Sequence, residues 1–108
     1  MSSVAGRVAR VNTGAYNATK WAVNAFSESL RQEVTTRHVR VALVEPGAVA
    51  TELAGHNRPE VLEGIRASFG NIDRLEAEDI SDAVTYVVTR PRHVALNEVL
   101  VRPTEQER

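Results

Sequence analysis

The sequence has no cysteine, which excludes disulfides, thiolate metal sites and cysteine nucleophiles. It has almost no lysine: of thirteen basic residues, Lys20 is the one lysine and the others are arginine. It has almost no net charge either, because thirteen basic side chains stand against fourteen acidic ones. That balance gives no electrostatic footprint for a nucleic-acid backbone or an anionic membrane surface. No apolar run approaches the roughly 20 residues of a membrane span, and Met1 to Arg7 lacks the basic start and long apolar core of a signal peptide. The three histidines are scattered. His56 and His93 have no histidine or carboxylate partner at metal spacing, and His38 sits where a helix ends, so no metal site is expected. A cytoplasmic domain without nucleic-acid or membrane partners is the expectation.

What remains is ordinary globular material. Hydrophobic residues at 43% and charged residues at 25% argue against disorder, and 108 residues suffice for one small domain. No repeat, low-complexity tract or flexible linker divides the chain. The scarcity of lysine makes Lys20 informative, since arginine cannot replace lysine where a compact point charge on a flexible stem is needed.

Periodicity predicts a long helix over residues 14–37, with Ala18, Ala22, Ala25, Phe26, Ser29 and Leu30 on one face and Glu28, Arg31 and Gln32 on another. Residues 39–45 are short and β-branched, and Pro46-Gly47 stops them, which predicts a mostly buried strand entering a loop. Residues 51–57 read as loop or irregular turn. A second helix is expected from Pro59 to Phe69, with Gly70 as its stop. A third starts near Glu76 to Asp79 and ends at Arg90 before Pro91, and residues 95–101 form a last strand. The order predicts α/β architecture with two parallel strands, about three helices and a stub of a further strand at the start. A two-stranded parallel sheet is a poor independent core, so these residues look like part of something larger.

Three constellations carry possible chemistry. Tyr16 and Lys20 lie four apart on the first helix and so on one face. Phenols titrate near ~10 and a neighbouring ammonium favours the phenolate, which makes such a pair a usable general acid/base; the alternative is an ordinary surface tyrosine beside a solvated lysine. Ser2 and Ser3 precede Val4-Ala5-Gly6 and read first as turn or capping residues. Beside Tyr16, the Ser3 hydroxyl gains a second reading, as a donor to a substrate carbonyl oxygen. The third is Pro46-Gly47-Ala48-Val49-Ala50-Thr51, directly after a strand, where open α/β sheets bind their ligands.

Taken together, Ser2 to Gly6, then Tyr16-Asn17-Ala18-Thr19-Lys20 thirteen residues after Ser3, then Val44-Glu45-Pro46-Gly47 and Thr51, resemble the short-chain dehydrogenase/reductases of the classical type. The run from Asn97 to Thr104 with Gln106 is similar to the NADP-dependent carbonyl-reductase branch that includes clavulanic-acid (clavaldehyde) dehydrogenase. The resemblance implies the C-terminal half of a Rossmann-like doubly wound parallel sheet. It implies Ser3, Tyr16 and Lys20 as catalytic residues, with Ser3 polarising the substrate oxygen, Tyr16 exchanging the proton and Lys20 binding the nicotinamide ribose. Tyr16, Lys20, Pro46, Gly47, Val49 and Thr51 would contact the cofactor, which is NADP by the branch, with NAD left open. The partner would be a small carbonyl or alcohol substrate, and the helix over residues 14–37 would pack against its copy in a homo-oligomer.

The sequence departs from that family in having no Gly-x-x-x-Gly-x-Gly turn. Residues 1–108 are therefore expected to be a partial domain without its N-terminal dinucleotide-binding half, through a shortened gene or an internal methionine read as a start, and to be inactive alone. An interaction fragment that associates through the first helix is the alternative, and an independent small binding module is a third reading that its small core disfavours.

Overall fold

A buried strand needs neighbours for its backbone groups, and β1 (Leu43–Pro46) finds them in β2 (Glu98–Val101), a parallel partner with Leu43 opposite Glu98 and Pro46 opposite Val101. In the computed structural model, which describes residues 1–108 apart from the side chain of Ala54, three helices accompany this sheet. They are α1 (Gly14–Val34), α2 (Pro59–Phe69) and α3 (Ala77–Val88), with 3₁₀ turns at Val4–Gly6, Thr35–Arg37 and Glu52–His56. The chain is thus α/β, as the order of its elements predicts.

The helix limits follow local chemistry. Pro59 opens α2 with its missing N–H at a position that needs none, and Gly70 closes it. A capping box starts α3: the Asp79 carboxylate accepts the Glu76 N–H at 2.8 Å, and the Glu76 side chain accepts an N–H in return. α1 is shorter than expected, because residues 35–37 tighten into a 3₁₀ turn that His38 ends at φ 60°. Histidine is among the residues that enter this left-handed region, so His38 is the capping residue its position suggested.

The strands are shorter than their β-branched runs. Residues 39–42 and 95–97 have strand-like composition but no ladder, and the pairing begins where Leu43 N–H donates to Asn97 O at 2.8 Å. The Arg40 side chain instead crosses to the end of α3 and donates to Arg90 O and Val94 O at 3.0 and 2.9 Å. The expected strand stub supplies one backbone bond, Ser2 N–H to Val44 O at 2.8 Å, and no ladder. Residues 52–56, read as loop or irregular turn, form a 3₁₀ turn.

α1 turns its small and aromatic residues outward: Ala18, Ala22, Ala25, Phe26 and Ser29 are exposed, Phe26 at 70%, and Leu30 is half-buried. The face turned inward is mixed: Asn17 is buried, and Lys20, Val23, Asn24, Ser27, Leu30, Arg31 and Val34 are half-buried. Its asparagines find hydrogen-bonding partners on the other side. Asn24 Nδ2 donates to Glu45 Oε1 at 2.9 Å and to Gly6 O at 3.2 Å, while Ser2 Oγ donates to Asn24 Oδ1. Glu45 is fully buried, and Arg7 Nε donates to its other oxygen at 2.6 Å while Arg7 Nη2 reaches Glu98 at 2.7 Å.

Little apolar material is covered. Val4, Leu43, Val44, Ile80 and Val87 are the buried apolar side chains among the described residues. The accessible surface is 7834 Å², against about 6000 Å² for a folded monomer of this mass. The radius of gyration is 15.3 Å, against about 13 Å for a compact domain of this length. Trp21 and Tyr86, at 52% and 56% exposure, are part of that excess.

The Glu45 network generates a test. Arg7→Met leaves a buried carboxylate with Asn24 alone and is expected to cost roughly 3 kcal/mol in urea unfolding. The double variant Arg7→Met/Glu45→Leu removes the stranded charge and is expected to recover much of that loss. A double variant no more stable than Arg7→Met would show that the ion pair does not carry the stability of this region.

Candidate active site

Ser3 caps the first 3₁₀ turn, its Oγ accepting the Ala5 N–H at 3.1 Å, as a serine before Val-Ala-Gly is expected to do. The Ser2 bond to Val44 holds this turn beside β1, so the same hydroxyl also lies 3.5 Å from Pro46 O, at the carboxyl end of the strand. Ser3 and Pro46 are therefore brought together across 43 residues of chain.

Tyr16 and Lys20 meet on the first turns of α1, with Lys20 Nζ 5.7 Å from the centroid of the Tyr16 ring. Tyr16 is exposed and Lys20 half-buried, so both polar ends are open to a ligand. Among the described residues no hydrogen bond joins Ser3 to Tyr16. Their elements are joined by Asn17, which is 4% exposed and whose Nδ2 donates to both Ala5 O and Val8 O at 2.7 Å. Thr13 Oγ1 donates to Asn17 Oδ1, closing the turn that leads into the helix. Farther along α1, Asn24 grips Gly6, where a Cβ would stand 2.6 Å from Asn24 Nδ2; the glycine permits the close approach of turn and helix.

Asn17 and Asn24 are functional supports that the sequence reading passed over. The available signal was the pair itself: two poor helix formers seven residues apart inside one helix.

Residues 46–51 are not a free loop. Gly47 N–H continues the ladder to Val101 O at 2.7 Å. Leu75 then takes the segment over by an isolated parallel bridge to Val49, donating to Ala48 O at 3.0 Å and accepting from Ala50 N–H at 2.8 Å. Ala48 N–H donates to the side chain of Gln106 at 2.8 Å. Pro46, Gly47 and Val49 are half-buried, while Thr51 is exposed with its N–H bonded to Val49 O at 3.0 Å.

A cavity lies elsewhere. About 560 Å³ of space opens between the end of α2 and the C-terminal tail, walled by Arg10, Ser68, Phe69, Asn71, Glu105 and Glu107 among others, and none of Ser3, Tyr16 or Lys20 lines it. Arg10 stacks over the Phe69 ring at 5.0 Å and donates to Arg108 O. Burial, then the charge of Arg108, push the Arg10 guanidinium below its ordinary value. Ser3, at the strand end, and the exposed Tyr16 thus lie outside the walls of that cavity. No group of three or more His, Asp or Glu able to hold a metal occurs among the described residues, and no helix among them is long and apolar enough to cross a membrane.

Asn17 provides the test of how the site is built. Asn17→Ala strands two carbonyls and is expected to cost about 2 kcal/mol of stability. Asn17→Asp is expected to be no better, because a carboxylate cannot donate to Ala5 O and Val8 O. Wild-type stability of Asn17→Asp in thermal unfolding would remove this clamp from the account.

Comparison with known proteins bears on the whole arrangement. The profile of the short chain dehydrogenase family matches residues 1–62. The chain is 39% identical over 93 residues to dehydrogenase/reductase SDR family member 11 of Bos taurus, covering 84% of this chain and 36% of that protein. Among solved structures, the closed form of serine dehydrogenase complexed with NADP+ superposes with a TM-score of 0.86 at 35% identity, over 99% of this chain and 44% of that one. An alcohol dehydrogenase from the archaeon Thermococcus sibiricus, complexed with 5-hydroxy-NADP, gives 0.77 at 26% identity, over 99% and 41%. The chain therefore spans between a third and a half of the length of these relatives. Their fold is the Rossmann-like sheet of which β1 and β2 are two strands, and by sequence and structure together the chain belongs to the short-chain dehydrogenase family.

Proposed function

We propose that these residues carry the proton-transfer and nicotinamide-contact groups of an NAD(P)-dependent oxidoreductase acting on a small carbonyl compound or secondary alcohol. What supports this reading is the tie between the two segments that bear these groups: Ser3 lies against Pro46 O, and Asn17 bonds the Ser3 turn to the helix that carries Tyr16 and Lys20.

The donor set fits the nicotinamide–ribose end of such a cofactor. Lys20 offers an ammonium with three donors for ribose hydroxyls, and Tyr16 and Thr51 offer exposed hydroxyls on the same part of the molecule. Pro46, Gly47 and Val49 supply half-buried, largely apolar surface suited to a ring face. A bound nicotinamide supplies or accepts the hydride. The chain's own part is to hold the substrate oxygen by the Ser3 hydroxyl and to exchange its proton with the Tyr16 phenol. Lys20 compensates the negative charge left on the phenol oxygen.

NADP is the favoured form, supported by the NADP-type ligands of the serine dehydrogenase and the Thermococcus sibiricus alcohol dehydrogenase, with NAD as the second choice. The run from Asn97 to Gln106 supports a place near the clavulanic-acid dehydrogenase-like carbonyl reductases. Residues 1–108 would then be the catalytic part of a larger dinucleotide-binding domain.

Homo-oligomerisation through α1 is part of the same proposal. It is supported by the exposed small residues Ala18, Ala22, Ala25 and Ser29 beside Trp21 and Phe26. The surface excess is about 1900 Å² over the monomer expectation, the order of area that a specific interface buries.

Two measurements test these assignments in the whole protein. Tyr16→Phe is expected to lower NADPH-dependent carbonyl reduction by 10²–10⁴-fold; activity within a factor of about three of wild type would remove the phenol from the mechanism. Sedimentation is expected to find a dimer or larger species with blue-shifted Trp21 emission, and Phe26→Arg is expected to shift it toward monomer. A wild-type monomer with solvent-exposed Trp21 would rule out the α1 interface.

A further inference from the structure

The tail that follows β2 turns back on itself at Pro103, which is buried, where Pro103 O accepts the Gln106 N–H at 3.0 Å. That turn sends the Gln106 side chain inward, and the residue is only 9% exposed. Its Oε1 accepts the Ala48 N–H at 2.8 Å and its Nε2 donates to Arg108 O, so both ends of the amide are used. The fit against the loop is close. A Cβ on Gly47 would stand 2.3 Å from Gln106 Oε1 and 3.0 Å from Arg102 Cγ. The tail therefore occupies the space in which any other residue at position 47 would begin its side chain.

The peptide after Gly47 is gripped from two directions. Leu75 N–H holds the carbonyl of Ala48 and Gln106 holds its N–H. Of Ala48, Leu75 takes the carbonyl and no more, and a half-buried N–H without an acceptor is costly. The Gln106 side chain supplies that acceptor, 58 residues farther along the chain.

We propose that Gln106 is a positioning residue for the nicotinamide-contacting segment: by accepting the Ala48 N–H it orients the main chain of residues 47–50 and so aims Val49 and Thr51 at the cofactor. The proposal rests on the reading of residues 46–51 as cofactor contacts. It adds that the tail and the cofactor are coupled through one peptide, so that loosening the tail weakens cofactor binding without touching Ser3, Tyr16 or Lys20.

The test is amide hydrogen exchange by NMR on the whole protein, paired with NADPH titration. In Gln106→Met, similar in size but without a strong acceptor, Ala48 N–H is expected to exchange about tenfold faster, with the Leu43 N–H of the sheet unchanged and NADPH affinity several-fold weaker. Gln106→Glu keeps an acceptor oxygen for the Ala48 N–H while losing the bond to Arg108 and adding a charge, and is expected to recover the Ala48 rate and the affinity in part. Gly47→Ala, which pushes the amide aside, is expected to behave like Gln106→Met. Unchanged Ala48 exchange in Gln106→Met overturns the proposal. Equal loosening of Leu43 overturns it too, since the tail would then support the whole sheet rather than the loop. A loosened Ala48 with unaltered NADPH affinity overturns the coupling. Failure of the wild type to bind NADPH is a different result: it removes the proposed function, while the exchange rates still decide whether Gln106 holds the loop.

Discussion

The buried carboxylate of Glu45 is the constraint on which this structure turns. It sits in the middle of the covered strand with no exposure, where an unpaired charge would be prohibitive. Arg7 and Asn24 both bond to it, and each brings a different segment with it: the first turn of the chain and the long helix. Arg7 extends the grip to Glu98 on the neighbouring strand. One side chain thus fixes the mutual placement of turn, helix and both strands. With so few buried apolar residues, non-directional burial alone would leave the register of these parts loosely defined. Directional bonds to a buried charge admit one arrangement.

The candidate site is a by-product of the same clamps. The asparagines on the inward face of α1 satisfy Glu45, Gly6, Ala5 and Val8, and these bonds fix the rotation of the helix that carries Tyr16 and Lys20. A helix that buried its alanines instead would carry the tyrosine and lysine to a different place. The outward face, small and aromatic, is left for contacts beyond these residues. The strand-end segment is held on the same principle, its backbone groups divided between Leu75 and Gln106. Catalytic geometry in proton transfer tolerates little slack, and each participating segment here is fixed by at least one bond to a distant part of the chain.

Much of this was legible in the residues alone wherever the determining interactions are local. Pro59, Gly70 and the Glu76–Asp79 box mark the limits of α2 and α3 by chemistry confined to one helical turn. The spacing of Tyr16 and Lys20 places them on one face of any helix, and the order of elements requires parallel strands. Tertiary structure alone decided which face of α1 is buried, how far the strands pair, and that Asn17, Asn24, Leu75 and Gln106 hold the site together. The spacing of Ala18, Ala22 and Phe26 does not say which side of α1 faces the sheet, and the bond from Asn24 to the carboxylate of Glu45, 21 residues away, is among those that set it. The β-branched run over residues 39–42 has strand propensity, yet a strand exists only where a neighbour supplies a ladder, and β2 reaches no farther than Glu98. The acceptor for Ala48 lies 58 residues away, so no local pattern encodes it. The physical reason is common to all of these: caps and helix faces are set by bonds within a turn, whereas buried polar groups are satisfied by whichever partner the folded chain brings to them.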